Sequence, residues 1–291
     1  MTLPKPTSVR SSEVPDHVRK AREALDRDMG ARPLAQGVVA RECTLNGRPV
    51  IDLAPSRPVN RTILYLHGGG FRMGSARGFT PYCSHLAREL SARVVVVDYR
   101  LAPENPFPAG LLDALAVYES LRREVPRAGD RELIVAGDSA GGGVAAGLLL
   151  EVGKRGDSPD AALLLCPWVD LRVVAQSYDE CATTDILYSR AQAEEGVAMY
   201  LQGHAPTDPL ASPLLADWSG QPPMAIQTSV LEVLRDDARG LAERARRAGV
   251  TVSFREFPEQ QHVWHYGFPD DPAAKDAFDH LREFLDEKRR A

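Results

Sequence analysis

The first 60 residues combine one amphipathic stretch with one hairpin pattern. Between residues 13 and 29, apolar side chains recur at steps of three and four, which predicts a helix with one buried face. Two apolar runs, residues 38–41 and 50–53, flank the dipeptide Asn46-Gly47. This dipeptide is typical of a two-residue hairpin turn, so antiparallel strands are expected at one end of the domain.

From residue 62 onward, short apolar runs alternate with helical periodicity. The predicted strands cover residues 62–66, 94–97, 133–136, 163–165, 225–227 and 252–254. The predicted helices cover residues 80–90, opened by Thr80 and Pro81, then 111–123, 142–150, 236–249 and 281–288. This alternation predicts an α/β fold with a mostly parallel sheet and helices on both faces.

One long segment, residues 171–215, interrupts the alternation because it is polar and spotted with aromatic residues. We interpret it as an insertion over the carboxyl edge of the sheet, where open α/β sheets bind ligands. Together with residues 1–35 it is expected to supply the cap elements of a single domain spanning residues 1–291.

Composition and charge exclude several classes of function. The 291 residues carry a formal net charge of -5 with a pI near 5.8, which argues against a nucleic-acid partner. No segment reaches the ~20 apolar residues of a membrane span, and residues 1–30 do not resemble a signal peptide. The four cysteines lack metal-ligand spacing. We therefore expect a cytoplasmic protein with no metal site.

The segment Gly137-x-Ser139-x-Gly141 lies between a predicted strand and a predicted helix. A serine hydroxyl is a weak nucleophile unless it is exposed, aligned and deprotonated by a neighbouring base. A sharp strand-to-helix turn exposes the side chain, and flanking glycines avoid the clashes of such a turn. The pattern predicts Ser139 as a nucleophile, against the alternative of a glycine-rich turn with an incidental serine.

Three consecutive glycines follow His67 at the end of an earlier predicted strand. Their backbone N–H groups can face a ligand without steric cover. Acyl transfer develops an oxyanion, and losing one preorganised N–H donor costs roughly 3–4 kcal/mol of its stabilisation. A phosphate-binding loop would lead into a helix with a Lys-Ser/Thr pair, which is absent here. The glycines therefore indicate an oxyanion hole, with a plain loop as the alternative.

The general base is expected late in the chain, because the order in this type of fold is serine, acid, histidine. Of the seven histidines, only His262, His265 and His280 follow the later strands. His280 falls in the charged C-terminal helix, where exposure is expected. His262 lies in the loop that leaves the last strand and is the predicted base, with His265 as the alternative.

The acid is expected just after the predicted strand at residues 225–227, where Glu232, Asp236 and Asp237 lie. Asp236 and Asp237 have a structural explanation as the N-cap of the following helix. Glu232 stands among leucine and valine residues, and a carboxylate in such an apolar turn needs a partner. Orienting the histidine would supply that partner. Glu232 is therefore the predicted acid, with Asp236 as the alternative.

Taken together, the motifs resemble those of the bacterial hormone-sensitive-lipase family of α/β-hydrolases. The similar segments run from about residue 63 to residue 266. They read HGGGFRMGS, DYRLAPENPFPA, GDSAGGG, PW-x-DL, DPLASPLLADWSGQPP, LEVLRDDA and HVWH. The combination is highly specific, although no single segment is.

The resemblance implies an α/β-hydrolase fold with a small helical cap, and ester hydrolysis that needs no metal or other cofactor. Ser139 would be the nucleophile and His262 the base. The oxyanion hole would consist of the amides of Gly69, Gly70 and Ala140. Residues 98–103 match a stretch that supports the glycine-rich loop in the family, so no catalytic role is expected of them.

Two positions depart from the family's pattern. The acid of the family is most often Asp in a D-P-L-x-D-D context, whereas Glu232 stands here in E-V-L-R-D-D. A subset of relatives resembles this Glu form, and Glu can do the same chemistry with one more methylene. Thr228-Ser229 replaces the usual Val-Gly before this turn, so the path of the loop is expected to differ.

The predicted function is that of a serine carboxylesterase acting on short- to medium-chain, acetyl-type esters. An N-acetyl or amide deacylase, or a lactone hydrolase, is the alternative among enzymes, because the motifs do not separate esters from amides. A non-catalytic small-molecule receptor, as some relatives are, is the alternative of another class. The presence of His262 disfavours the receptor.

The substrate pocket is expected to be built from N-terminal residues and the segment 171–215. Phe71, Trp168, Tyr188 and Trp264 are its predicted aromatic lining. Analogy with other proteins of this fold predicts a homodimer formed through an edge strand near residues 252–256.

Overall fold

A single eight-stranded sheet forms the centre of the protein. The computed structural model describes residues 14–126 and 130–290, so the first 13 residues of the predicted cap segment lie outside the described part. The strands are β1 (Val38–Leu45), β2 (Arg48–Pro55), β3 (Arg61–Leu66), β4 (Ala92–Val97), β5 (Glu132–Asp138), β6 (Ala161–Leu165), β7 (Met224–Ser229) and β8 (Val252–Phe257). Their order across the sheet is β1-β2-β4-β3-β5-β6-β7-β8.

The sheet is mostly parallel, as the sequence predicted. Strands β3 to β8 pair in parallel, while β1 and β2 form an antiparallel hairpin that joins the sheet through an antiparallel β2–β4 pair. The hairpin turns at Asn46 and Gly47, which have φ angles of 46° and 77°. Both values are those that a two-residue hairpin turn requires of its central residues.

The helices cover both faces of the sheet. They are α1 (Asp16–Gly30), α2 (Ala76–Glu89), α3 (Ala109–Glu124), α4 (Ser139–Lys154), α5 (Ser177–Glu180), α6 (Arg190–Leu201), α7 (Arg235–Arg247) and α8 (Pro272–Arg290), with 3-10 turns at Pro213–Leu215 and Trp264–Gly267. No helix in the described ranges is long and apolar enough to cross a membrane.

Each central strand contributes side chains to two apolar cores, because successive residues of a strand point to opposite faces. Leu64 and Leu66 of β3 pack in the core that α3, α4 and α7 cover. Ile63 and Tyr65 pack in the core that α2 and α8 cover. Burial on both faces explains why β3 to β7 read as nearly continuous apolar runs.

Helix α2 begins one turn earlier than the sequence predicted. Ser75 is its N-cap, and the Ser75 hydroxyl accepts the N–H of Gly78 at 3.0 Å. The expectation that Thr80 caps this helix is wrong, since its hydroxyl donates to the Ala76 carbonyl inside the helix. Pro81 lies in the helix interior rather than in the first turn.

Helices α7 and α8 also differ from the predictions. Leu234 occupies the N-cap position of α7, so Asp236 and Asp237 lie in its first turn and do not cap it. Helix α8 begins at Pro272, nine residues before the predicted start. His280 is buried rather than exposed, and its ring hydrogen-bonds to Gln227 and Ser253.

The segment 171–215 contains helices α5 and α6, which the sequence pattern did not reveal. The buried face of α6 begins with the small residues Ala193 and Gly196 and carries large side chains only at its end, at Tyr200 and Leu201, so its apolar period is short. A Cβ at Gly196 would lie 3.3 Å from the Trp168 ring. Helix α6 also meets α1, because His17 hydrogen-bonds to Glu195 at 2.8 Å. The segment is therefore partly helical and packs close to the carboxyl edge of the sheet.

A strained turn joins β5 to α4. Ser139 has a φ of 51°, in the left-handed region that L-residues with a side chain rarely adopt. A Cβ at Gly137 would lie 2.5 Å from the Gly141 carbonyl oxygen, and a Cβ at Gly141 would lie 2.1 Å from the Leu66 carbonyl oxygen. Only glycine at these two positions lets α4 approach β3 and β5 so closely.

We expect Gly141→Ala to destabilise the fold, because the new Cβ would also lie 2.4 Å from the His67 carbonyl oxygen and backbone would have to move. The free energy of unfolding should fall by about 1–3 kcal/mol, as measured by denaturant unfolding. Gly30→Ala is the matched control, since its Cβ would have the Gly78 Cα at 3.9 Å as its nearest contact. Equal unfolding midpoints for the two variants would contradict this account.

Candidate active site

The side chain of Ser139 lies at the carboxyl edge of the sheet, where the strained turn presents it. Its Oγ atom is 2.9 Å from Nε2 of His262. The Ser139 carbonyl accepts the N–H of Trp168 at 3.0 Å, which ties the turn to the loop after β6. The serine is thus held both at its side chain and at its backbone.

His262 lies in the loop between β8 and the 3-10 turn Trp264–Gly267, and its ring is buried. Its Nδ1 atom hydrogen-bonds to the Glu232 carboxylate, so the ring bridges Glu232 and Ser139. Burial alone would lower the pKa of His262, but the hydrogen bond and charge of Glu232 outweigh it and leave this pKa above its usual value. The structure therefore brings these three predicted site residues together.

Glu232 is fully buried in the turn after β7, and its second oxygen is held by that strand. Its Oε1 atom accepts the Thr228 hydroxyl at 2.5 Å and the Ser229 N–H at 2.7 Å. The Ser229 hydroxyl donates to the carbonyl of Gln260, two residues before the histidine. In the sequence, Thr228-Ser229 stands out only as a departure from the family's pattern. The available signal was a pair of hydroxyl residues at the end of a fully buried strand.

The alternative acid and base lie elsewhere. Asp236 accepts the N–H of Ser177 at 2.9 Å and pairs with Arg235. His265 is buried against Gln227, with 2.8 Å between Nε2 and the amide oxygen. Burial lowers the pKa of His265 to about 3, so the ring is neutral at ordinary pH. The structure does not bring either residue to Ser139.

The glycine loop after β3 presents backbone donors beside the serine. Gly69 and Gly70 have φ angles of 121° and 61°, and a Cβ at Gly69 would lie 2.2 Å from the Met73 carbonyl oxygen. Among the described residues, no acceptor takes the N–H of Gly69 or Gly70. Ala140 is the second residue of α4, where helical N–H groups have no partner within the helix. These three amides can receive an anionic oxygen.

Asp138, directly before the serine, joins three loops of the site. Its Oδ1 accepts the Tyr65 hydroxyl at 2.5 Å and the Gly68 N–H at 3.0 Å. Its Oδ2 accepts the hydroxyl of Tyr266, which belongs to the turn after His262. Burial raises the pKa of Asp138, and these hydrogen bonds oppose the rise. Sequence reasoning gave this residue no role, although a buried acid in an apolar strand needs partners.

The stretch 98–103 supports the glycine loop, in agreement with its expected structural role. Asp98 accepts the N–H of Ala76 at 2.9 Å. The Tyr99 hydroxyl donates to the His67 carbonyl at 2.6 Å, and the two rings stack with centroids 4.5 Å apart. These contacts hold the backbone of the glycine loop in place.

Three of the four predicted lining residues are neighbours. The rings of Phe71 and Trp168 have centroids 5.1 Å apart, and those of Trp168 and Tyr188 lie 5.6 Å apart. Tyr188 also faces the His262 ring, with a centroid distance of 5.9 Å. The fourth residue, Trp264, does not lie with the other three, so its predicted place in the pocket lining is wrong. It packs against Phe257 and α8 in a separate cluster, because its ring points into the core beneath the loop.

One group of potential metal ligands occurs among the described residues. The ligand atoms of Cys166, Glu232 and His262 all lie within 4.8 Å of one another. Both ring nitrogens of His262 are already hydrogen-bonded, so a metal ion at these atoms would compete with Ser139 and Glu232 for the ring. Burial raises the pKa of the Cys166 thiol well above its usual value.

This arrangement agrees with what the chain is similar to. Residues 63–266 match a family described as alpha/beta hydrolase fold. An acetyl-hydrolase of Streptomyces hygroscopicus is 39% identical over 232 residues, which cover 79% of this chain and 77% of that protein.

Solved structures give the same result. The crystal structure of an esterase from the bacterial hormone-sensitive lipase family superposes with a TM-score of 0.89 at 34% identity, covering 95% of this chain and 93% of that one. A structure of the protein EstE5 soaked with p-nitrophenyl butyrate has a TM-score of 0.88 at 30% identity, covering 98% and 95%. The chain therefore belongs to the bacterial hormone-sensitive-lipase family of α/β-hydrolases and is a carboxylic ester hydrolase.

Proposed function

We propose that this hydrolase cleaves short-chain, acetyl-type esters through a triad of Ser139, His262 and Glu232. The observation that carries the proposal is the position of the His262 ring. One of its nitrogens lies 2.9 Å from the serine hydroxyl and the other is hydrogen-bonded to a buried carboxylate. A serine, a base and a group that orients the base are the parts that acyl transfer requires.

In the first half of the reaction, Ser139 Oγ attacks the ester carbonyl and passes its proton to Nε2 of His262. The Glu232 carboxylate keeps the ring in the tautomer that accepts this proton and stabilises the imidazolium that forms. The carbonyl oxygen becomes an oxyanion and is stabilised by the amides of Gly69, Gly70 and Ala140. When the tetrahedral intermediate collapses, the alcohol leaves with the proton from the imidazolium.

In the second half, a water molecule takes the place of the alcohol. His262 removes a proton from that water, and the resulting hydroxide attacks the acyl group on Ser139. The ester bond to the serine then breaks, and the proton returns from the imidazolium to Oγ. The products are the free acid and the enzyme in its starting state.

The packing beside the serine supports a small acyl group. Phe71 and Trp168 are buried, and the Phe71 ring stacks on Tyr200 with centroids 4.0 Å apart. Helix α6 closes on the Trp168 ring at Gly196. Large aromatic rings in close contact leave little room for a long chain. The name of the Streptomyces acetyl-hydrolase supports the same substrate class.

Ser139→Ala should abolish ester hydrolysis while leaving the fold intact. With p-nitrophenyl acetate as substrate, we expect kcat to fall by about 10⁴-fold or more, because losing the nucleophile removes the acyl-enzyme route. Circular dichroism and the thermal unfolding midpoint would report the fold. A variant that folds and retains more than a few per cent of the wild-type rate would refute Ser139 as the nucleophile.

Glu232→Gln tests the acid, with Asp236→Asn as the matched control. We expect kcat of Glu232→Gln to fall by about 10³–10⁴-fold, because the His262 ring would adopt the wrong tautomer. The kcat of Asp236→Asn should stay within about twofold of the wild-type value. The base works only when neutral, and Glu232 raises the pKa of His262. The acid limb of the wild-type pH–rate profile should therefore lie above the ordinary histidine pKa of about 6.5, and Glu232→Gln should move it to lower pH. The reverse ranking of the two variants would reassign the acid.

Acyl-chain length is tested with p-nitrophenyl esters from acetate to octanoate. We expect kcat/KM to be highest between acetate and butyrate and to fall by about tenfold or more at octanoate. Trp168→Phe should improve the longer esters relative to acetate, because it opens space beside the serine. Trp264→Phe is the control, since Trp264 packs outside this cluster. A wild-type optimum at octanoate would contradict a small acyl pocket.

A further inference from the structure

A buried carboxylate outside the proposed triad lies between α5 and α6. Asp185 is only 7% exposed. Its Oδ1 atom accepts the N–H groups of Leu187 at 3.0 Å and of Tyr188 at 2.9 Å. Its Oδ2 atom accepts the N–H of Val233 at 3.0 Å, and Val233 directly follows Glu232. Within the described ranges, no ion pair engages Asp185, so these backbone amides are what hold its carboxylate.

The segment around Asp185, residues 184–188, is bonded to both turns of the proposed triad. The Thr184 hydroxyl donates to the carbonyl of Leu231, directly before Glu232, at 3.0 Å. The Gln261 side chain, directly before His262, accepts the Ile186 N–H at 3.0 Å and donates to the Thr184 carbonyl at 3.1 Å. The segment thus joins the turn that carries the acid to the loop that carries the base.

The same carboxylate also fixes the ring that faces the base. Tyr188, whose backbone N–H Asp185 accepts, stacks on His262 with an angle of 23° between the rings. A shift of the Tyr188 backbone would open or tilt this contact. The orientation of His262 is therefore limited by Glu232 on one side and by the 184–188 segment on the other.

We propose that Asp185 is a positioning residue for ester hydrolysis: it holds the segment 184–188 against the acid turn and adds a buried negative charge beside the imidazolium of His262. The proposal rests on the function proposed above. Asp185 acts through the Val233 and Tyr188 amides and through its field, and it does not contact the reacting atoms.

The charges around the ring determine how Asp185 acts on it. Glu232 hydrogen-bonds to His262, while Asp185 and Asp138 act on it at longer range, and all three raise its pKa. Arg72 and Glu195 form an ion pair that acts on Tyr188, the ring that stacks on His262. Paired charges largely cancel at a distance, so the field at the ring comes from the three carboxylates.

Asp185→Asn is the decisive variant, because it keeps the side chain's shape while it removes the charge and leaves one set of amides facing an NH₂ group. We expect kcat for p-nitrophenyl acetate to fall by about tenfold through misplacement of the base. The acid limb of kcat/KM should move to lower pH, because a charge that raises the His262 pKa is gone. Asp160→Asn is the matched control: Asp160 also accepts a backbone N–H, from Leu133 at 2.8 Å at the opposite edge of the sheet.

Asp185→Glu separates the effect of the charge from that of the geometry. It also tests the proposal if Asp185→Asn does not fold. It keeps the charge but displaces the amides, so kcat should fall while the acid limb stays at the wild-type pH. The rate at which a p-nitrophenyl phosphonate labels Ser139, measured as a function of pH, should show the same acid limb without requiring turnover. The proposal is overturned if Asp185→Asn keeps the wild-type kcat or the wild-type position of the acid limb of the pH profile. It is also overturned if Asp185→Glu shifts that acid limb. An inactive wild-type enzyme would refute the proposed function instead.

Discussion

A carboxylate removed from water needs hydrogen bonds at both oxygens, and the site of this hydrolase is arranged around that need at Glu232. One oxygen takes the Thr228 hydroxyl and the Ser229 N–H at the end of β7, and the other takes His262. The ring then reaches Ser139, in the turn that follows β5. Because each partner comes from the carboxyl end of a parallel strand, the order of the sheet itself brings the site together.

Three buried carboxylates, Asp138, Asp185 and Glu232, connect the loops of the site, and each accepts a backbone N–H of a nearby loop or strand end. Within the described ranges none of them is paired with lysine or arginine. In the proposed mechanism, their combined field would favour the imidazolium on His262 and would disfavour the oxyanion that forms at the same moment. The amides of the glycine loop and the partial positive charge at the N-terminus of α4 would supply the opposing contribution.

The sequence predicted the parts of the molecule that leave a periodic or chemical signature. The strands from β3 to β7 are nearly continuous apolar or β-branched runs, and GDSAG marks the strained turn at Ser139. Helix α6 was hidden, because its buried face carries the small residues Ala193 and Gly196 and has large residues only at its C-terminal end. The role of Thr228 and that of Asp185 were also hidden, since both depend on contacts between segments that are distant in the chain. Trp264 was misplaced because sequence alone does not tell which side of a loop a ring faces.

The contacts of Asp185 have a consequence for how such a site can change. The segment 171–215 includes Tyr188, beside the expected acyl pocket, and Asp185, which is bonded to the acid turn. An alteration that reshapes the pocket through this segment therefore also moves the backbone that limits His262. Under the proposed function, acyl specificity and the orientation of His262 are coupled, because one short segment contacts both the pocket and the acid turn. A pocket reshaped through Phe71 would leave the 184–188 segment in place, but Phe71 directly follows Gly69 and Gly70, which are oxyanion donors only in the proposed mechanism.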